Sequence, residues 1–200
     1  MSNSYPFSVQ LICWGNNMRF DPHCRRCRLS SSRTQVVPPE GDMNSPICFL
    51  GEAPGEKEDK TGRPFVGRAG KMLDRIMEEV GLSRKEVLIT NVVKCRPPNN
   101  RRPKKDEMSA CLPFLMEELV GKKVIIAMGR TACLNLLGRD VKLEEEANRI
   151  LQVAIGNTMS LVIPTYHPAA CLYSARAREA LRRSVEIAKE YLPEMVNDED

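Results

Sequence analysis

Four short apolar runs recur along the chain, at residues 47–50, 87–90, 124–128 and 161–164, separated by stretches in which apolar positions return every three or four residues. Runs this short and this uniformly apolar predict strands covered on both faces, as in a parallel sheet. Between them, Ala69, Met72, Leu73, Ile76, Met77 and Val80 fall on one helical face, with Gly81 as the stop. Met108, Leu112, Leu115, Met116 and Leu119 form a second such face, in which Pro113 is a candidate kink. A short helix is expected over 130–137, after Gly129 and before Gly138, and a final one carries Ala177, Leu181, Ala188 and Leu192. Residues 150–161, centred on Gly156-Asn157, read as a β-hairpin inserted before the last core strand. Strands alternating with helices predict an α/β protein: a three-layer α/β/α sandwich around a central four-stranded parallel sheet, joined by right-handed crossovers. Ligands of such sheets bind beyond the carboxyl ends of the strands, which selects the segments after Leu50, Thr90, Met128 and Thr165.

Three of those segments hold the chain's most unusual strings. After the first strand come Gly51-Glu52-Ala53-Pro54-Gly55 and then Gly62-Arg63-Pro64-Phe65-Val66-Gly67-Arg68. Glycine and proline directly after a strand let backbone amides approach a ligand closely. Gly62 and Gly67 have P-loop spacing, but Arg68 and Ala69 stand where Lys and Ser or Thr are required, so a P-loop is rejected. Phe65, between proline and glycine, is read as an exposed ring able to stack on a base, against the plainer reading of a core aromatic. Asn91, at the end of the second strand, can donate to one oxygen and accept from one ring N–H, the pair that uracil offers; its plainer role is to cap the loop. Tyr166-His167-Pro168-Ala169-Ala170 follows the last strand, where His167 can donate to negative charge on a leaving base.

Composition adds a metal and a polyanion. Eight cysteines appear without a secretion signal at positions 1–20, which argues for reduced thiols in the cytoplasm rather than a disulfide framework. Only two histidines, His23 and His167, are present, so a metal site must be mostly thiolate. Cys24 and Cys27 form a Cys-x-x-Cys pair, Cys95 follows the second strand and Cys111 sits in the next helix; four thiolates from three places suit an iron-sulfur cluster or a structural zinc. Cys13, Cys48, Cys133 and Cys171 have no partner at ligand spacing, and Cys48 and Cys133 read as small buried apolar residues. The net charge of +4 is mild, but Lys and Arg gather at 25–33, 96–105 and 176–183, as a phosphate-bearing partner requires. No apolar run approaches the roughly 18 residues of a membrane span. The 42% apolar content over 200 residues supports one domain at 21–194, with an extension at 1–20 and a disordered acidic tail at 195–200.

Taken together these strings resemble the family-4 uracil-DNA glycosylases, the iron-sulfur branch of bacteria and archaea. The resemblance rests on Gly-Glu-Ala-Pro-Gly at 51–55, Gly-Arg-Pro-Phe-Val-Gly at 62–67, Thr-Asn-Val-Val-Lys-Cys-Arg-Pro-Pro at 90–98, Cys111, and His-Pro-Ala-Ala at 167–170, in that order. It implies a uracil-DNA glycosylase fold and a four-iron, four-sulfur cluster on Cys24, Cys27, Cys95 and Cys111. It further implies that Gly51, Glu52 and Ala53 line a uracil pocket, that Phe65 stacks on the base, that Asn91 reads its edge and that His167 contacts its O2.

The chain departs from the pattern in two places. Ala53 stands where the best-known uracil glycosylases place a water-directing aspartate, leaving Glu52 and Glu58 as candidates to position water. Cys171-Leu172-Tyr173 replaces two leucines and an arginine, so Leu172 or Tyr173 is the expected wedge in the gap left by the flipped base. The loop at 96–105 has no histidine, which argues against the branch that bonds covalently to its DNA product. The expected protein is a monomeric, monofunctional glycosylase that flips uracil from single- or double-stranded DNA and cleaves the base–sugar bond, with Arg68, Arg96, Arg101 and Arg176 on phosphates. The competing readings are a non-catalytic, metal-stapled nucleic-acid-binding module, or a glycosylase preferring hypoxanthine or another deaminated base.

Overall fold

A computed structural model describes residues 20–192. The expected extension (apart from Phe20), Cys13 and the acidic tail at 195–200 lie outside them. Phe20 packs against the same core cluster as Cys24 and Cys27.

The four apolar runs form β2 (Ile47–Gly51), β3 (Leu88–Asn91), β4 (Val124–Met128) and β6 (Thr158–Thr165). They are parallel and adjacent in the order β3-β2-β4-β6. Every residue of β2, β3 and β4 is buried, which is why these strands carry no alternating polar positions. Successive side chains serve opposite layers. Cys48, Leu50, Ile125, Ala127 and Val162 join one core cluster, while Ile47, Phe49, Ile126, Met128 and Ile163 join the other. Helices α3 (Lys105–Leu119) and α4 (Arg130–Leu137) cover the first cluster, and α2 (Arg68–Val80) and α6 (Ala175–Lys189) the second, completing the three expected layers.

The sheet is wider than the sequence pattern predicts. β1 (Glu40–Gly41) pairs antiparallel with β3 at one edge, and β5 (Leu151–Ile155) pairs antiparallel with β6 at the other, giving six strands. The hairpin turn falls at Gly156-Asn157 as expected, but the hairpin is not an insertion: its second arm and the last core strand are one continuous β6. Short helices α1 (Glu56–Thr61) and α5 (Leu143–Glu146) are further additions. Pro113 does not interrupt α3, and both Pro113 and Ser109, whose carbonyl loses its helical donor, are exposed to water. The last helix ends at Lys189, so Leu192 packs on the core from beyond it. None of the described helices is long and apolar enough to cross a membrane.

Candidate active site and thiol cluster

The carboxyl ends of all four parallel strands open onto one cavity of about 480 Å³. Its wall includes Glu52, Ala53, Pro54 and Gly55 after β2, Asn91 at the end of β3, Met128 at the end of β4 with Gly129 and Arg130 after it, and His167 after β6; Phe65 comes from the turn into α2 and Ala69 from that helix's first turn. The three residues singled out at strand ends and in the glycine-rich turn therefore do converge.

Gly51 shows how closely. A Cβ placed there would lie 2.4 Å from Phe65 Cζ and 2.5 Å from Asn91 Oδ1, so ring and carboxamide meet across a position that admits no side chain. Asn91 is only 4% exposed, and its Oδ1 is a buried oxygen with no hydrogen-bond partner. Burying such an acceptor without a donor costs about 1–3 kcal/mol.

Phe65 is not the exposed ring expected from its neighbours. It is 5% exposed, packs with Leu73, Ile76 and Phe49, and still presents itself to the cavity, so both readings of this residue apply. Its backbone is left-handed, with φ +53°, strained for a bulky side chain. Arg84 holds it there: its guanidinium donates to the carbonyls of Phe65 (3.0 Å) and Pro64 (2.6 Å) while pairing with Asp74 (2.8 Å) and Glu40 (3.0 Å). Glu58 braces the other side of the turn, its Oε1 accepting from the amides of Val66 (2.9 Å) and Gly67 (2.6 Å) just ahead of α2.

His167 packs beside Phe65, ring centroids 5.8 Å apart and planes inclined by 32°. Burial pushes its pKa down to about 4, against a smaller opposing pull from Glu58. The imidazole is thus neutral at pH 7. Its Nδ1 accepts from the amide of Ala169 (3.2 Å), which puts the proton on Nε2. Glu52, half-buried, accepts a short hydrogen bond from the Thr131 hydroxyl at the start of α4.

Two arginines, Arg101 and Arg130, line the cavity together with Glu52 and Glu58. Arg68 and Arg130 are exposed and carry no ion pair among the described residues. Arg96 donates to Asn100 Oδ1 (2.8 Å), Arg176 to the carbonyl of Glu144 (2.7 Å), and Arg101 grips the buried Glu107 with two bonds of 2.8 and 2.6 Å. Beyond His167, Tyr173 is 80% exposed whereas Leu172 is half-buried. Arg84, Arg130 and Thr131 escaped the sequence reading; only Arg130, the residue following the third predicted strand and its glycine, sat where a signal existed.

Cys24, Cys95 and Cys111 border a second, small cavity with Phe20 and Phe114, and Cys27 packs against the same cluster. All four thiols are free. Burial pushes the Cys95 thiol up to about 12, opposed by the Arg33 guanidinium, which donates to its Sγ (3.3 Å). Burial also raises Cys27 and Cys111, and in each of these three cases the neighbouring thiols add to the rise. Among the described residues no three His, Cys, Asp or Glu side chains are grouped closely enough to grip a single metal ion.

An open parallel sheet with one cavity at its carboxyl edge defines a class of protein that handles a ligand between strand-end loops. The family model of the uracil DNA glycosylase superfamily matches residues 38–191, and the chain belongs to that superfamily. Its relatives narrow the branch. It is 43% identical over 177 residues to a type-4 uracil-DNA glycosylase of Sulfurisphaera tokodaii, covering 84% of this chain and 79% of that protein. Identity is 44% over 176 residues to the type-4 enzyme of Saccharolobus solfataricus (84% and 82% covered) and 42% over 174 residues to that of Thermotoga maritima (84% and 89% covered).

Proposed function

We infer that this chain excises uracil from DNA, hydrolysing the bond between base and deoxyribose and leaving an abasic site. The observation that carries the reading is the meeting of Phe65 and Asn91 across Gly51, with His167 beside the ring. A flipped uracil lying on Phe65 brings its edge to Asn91, and its N3–H supplies the donor that the buried Oδ1 lacks. Lacking a strongly basic group at Ala53, the site favours a dissociative route in which negative charge collects on the departing base. The neutral His167, its proton held on Nε2 by Ala169, donates to that charge at uracil O2. We assign water positioning to Glu52, which has one carboxylate oxygen engaged by Thr131, rather than to Glu58, whose Oε1 already holds two turn amides.

Cys24, Cys27, Cys95 and Cys111 would hold a four-iron, four-sulfur cluster; two buried and two half-buried free thiols on one core cluster are a donor set that a cationic cluster would stabilise as thiolates. When bound, such a cluster would supply a structural cross-link between the loop at 24–27, the loop after β3 and α3. Arg68, Arg130, Arg96 and Arg176 would contact phosphates of single- or double-stranded DNA, and Tyr173, rather than the half-buried Leu172, would enter the stack as the base leaves. The protein would act as a monomer.

The direct test is incubation with oligonucleotides bearing uracil, hypoxanthine or xanthine, followed by alkaline cleavage at abasic sites. Uracil strands should be cut, fastest when single-stranded or when uracil faces guanine. Faster cutting at hypoxanthine would assign the chain to another deaminated base, and no cutting would leave a binding module. Pure protein should be brown and contain iron and sulfide; colourless protein with stoichiometric zinc would overturn the cluster.

A further inference from the structure

Beneath Asn91 lies a buried ion pair that takes no part in the chemistry above. Lys94 is 3% exposed and Glu118, on α3, is 1% exposed. Lys94 Nζ donates to Glu118 Oε2 (2.6 Å), Thr90 Oγ1 (2.7 Å) and the backbone carbonyl of Asn91 (2.6 Å), which uses all three protons of the ammonium. The Thr90 hydroxyl in turn donates to Glu118 Oε2 (2.7 Å). From the loop after β3, Lys94 thus folds back on the end of that strand and ties it to α3.

Stability gives little reason to keep this arrangement. A buried ion pair replaced by apolar residues of similar volume often leaves a protein equally stable, and here Glu118 Oε1 remains without a partner. What an apolar pair could not do is hold the Asn91 carbonyl. That carbonyl ends β3, and its orientation fixes the peptide from which the carboxamide projects over Gly51. The same peptide unit is held from its other side by the Val92 amide, which donates to the Gly51 carbonyl, and the next amide, of Val93, donates to the carbonyl of Glu52. Lys94 is a second hold on that same peptide unit and ties it, through Glu118, to α3.

We propose that Lys94, braced by Glu118 and Thr90, is a positioning residue for base reading, acting on uracil through Asn91 and touching no substrate itself. This rests on the assignment of Asn91 above. The test is a double-mutant cycle in single-turnover excision, comparing Lys94→Met/Glu118→Gln with Asn91→Ala. Removing both charges together avoids stranding one of them in the core. In the otherwise unaltered protein the paired substitution should slow excision by about tenfold, as expected when a single oriented base contact is lost. Half-saturation with uracil DNA should stay within about twofold, because phosphate contacts dominate that affinity. In the Asn91→Ala background the same pair should change the rate by less than about twofold, since residues acting through one contact are not additive.

Equal slowing in both backgrounds, no slowing in either, or slowing that follows loss of the protein's visible absorbance would each overturn the proposal while leaving Asn91 in place. An Asn91→Ala protein that excises uracil at the original rate would instead overturn the reading of Asn91, and this proposal with it. Thr90→Val, isosteric and uncharged, removes one member of the knot and carries the same cycle if the paired variant does not fold; its effect should have the same direction and also vanish in Asn91→Ala.

Discussion

The space above Gly51 is occupied by two side chains from elsewhere, and the smallest addition there discriminates between folding and reading. Gly51→Ala would drive a methyl into Phe65 and the Asn91 carboxamide. Overpacking of this kind costs roughly 1–3 kcal/mol, which a domain can survive, but the ring and amide cannot both keep their places. We expect folded protein with excision reduced by about 100-fold or more, the scale of losing an aligned reactive group, measured under single turnover beside a urea melt. At His167 the expectation concerns pH. With its pKa near 4, the imidazole does not titrate between pH 5 and 8, so the excision rate should be flat there; a limb near 6.5 would contradict the neutral donor. The same depression has a sign for stability. The folded state binds fewer protons than the unfolded chain, so stability is fully present above pH 6.5 and declines as pH falls toward 4. His167→Gln should flatten that part of the melting-midpoint profile. Asn91, Phe65 and His167 were legible in the sequence because polar or aromatic residues in glycine-rich or strand-end contexts are out of place there. Arg84 was not, since its partners lie on segments that only the fold brings near, and neither was Lys94, whose counter-charge Glu118 is 24 residues away.

At the scale of elements, the turn at 62–67 is held from both sides, by Arg84 on its carbonyls and by Glu58 on its amides. Glu58→Gln leaves one amide poorly served and removes the negative charge in front of α2. The expected cost is roughly 1.5–3 kcal/mol, typical of hydrogen bonds to a charged group, read from denaturant unfolding. Arg84→Met should loosen the strained Phe65 and slow excision more than it weakens DNA binding. Elements were legible in proportion to their apolar pattern: β2, β3, β4, α2 and α4 fall within a residue of expectation. β1, with two residues, and α5, with four, carry no period to detect, and both are fixed by what they pack on. Pro113 was read for its local preference, whereas exposure to water decides its effect.

For the whole molecule, the question is how a mildly basic protein holds a polyanion. Several of its arginines are committed internally, Arg101 to Glu107 and Arg84 to Glu40 and Asp74, so clusters in the sequence overstate the charge offered to DNA. Arg68 and Arg130 remain exposed, and Arg130 lines the cavity. Arg130→Ala should weaken binding alike on all sequences and lower the slope of log affinity against log salt by about one. Tyr173→Ala should impair excision from duplexes more than from single strands, because only a duplex has a gap to fill; equal losses on both would deny it the wedge role.

The continuous β6 has a practical corollary. Its eight residues span roughly 25 Å, with His167 just past one end and the Gly156-Asn157 turn at the other. A fluorophore or tether grafted onto that turn would ride on the far side of the molecule from the rim, reporting on DNA capture without standing in its way.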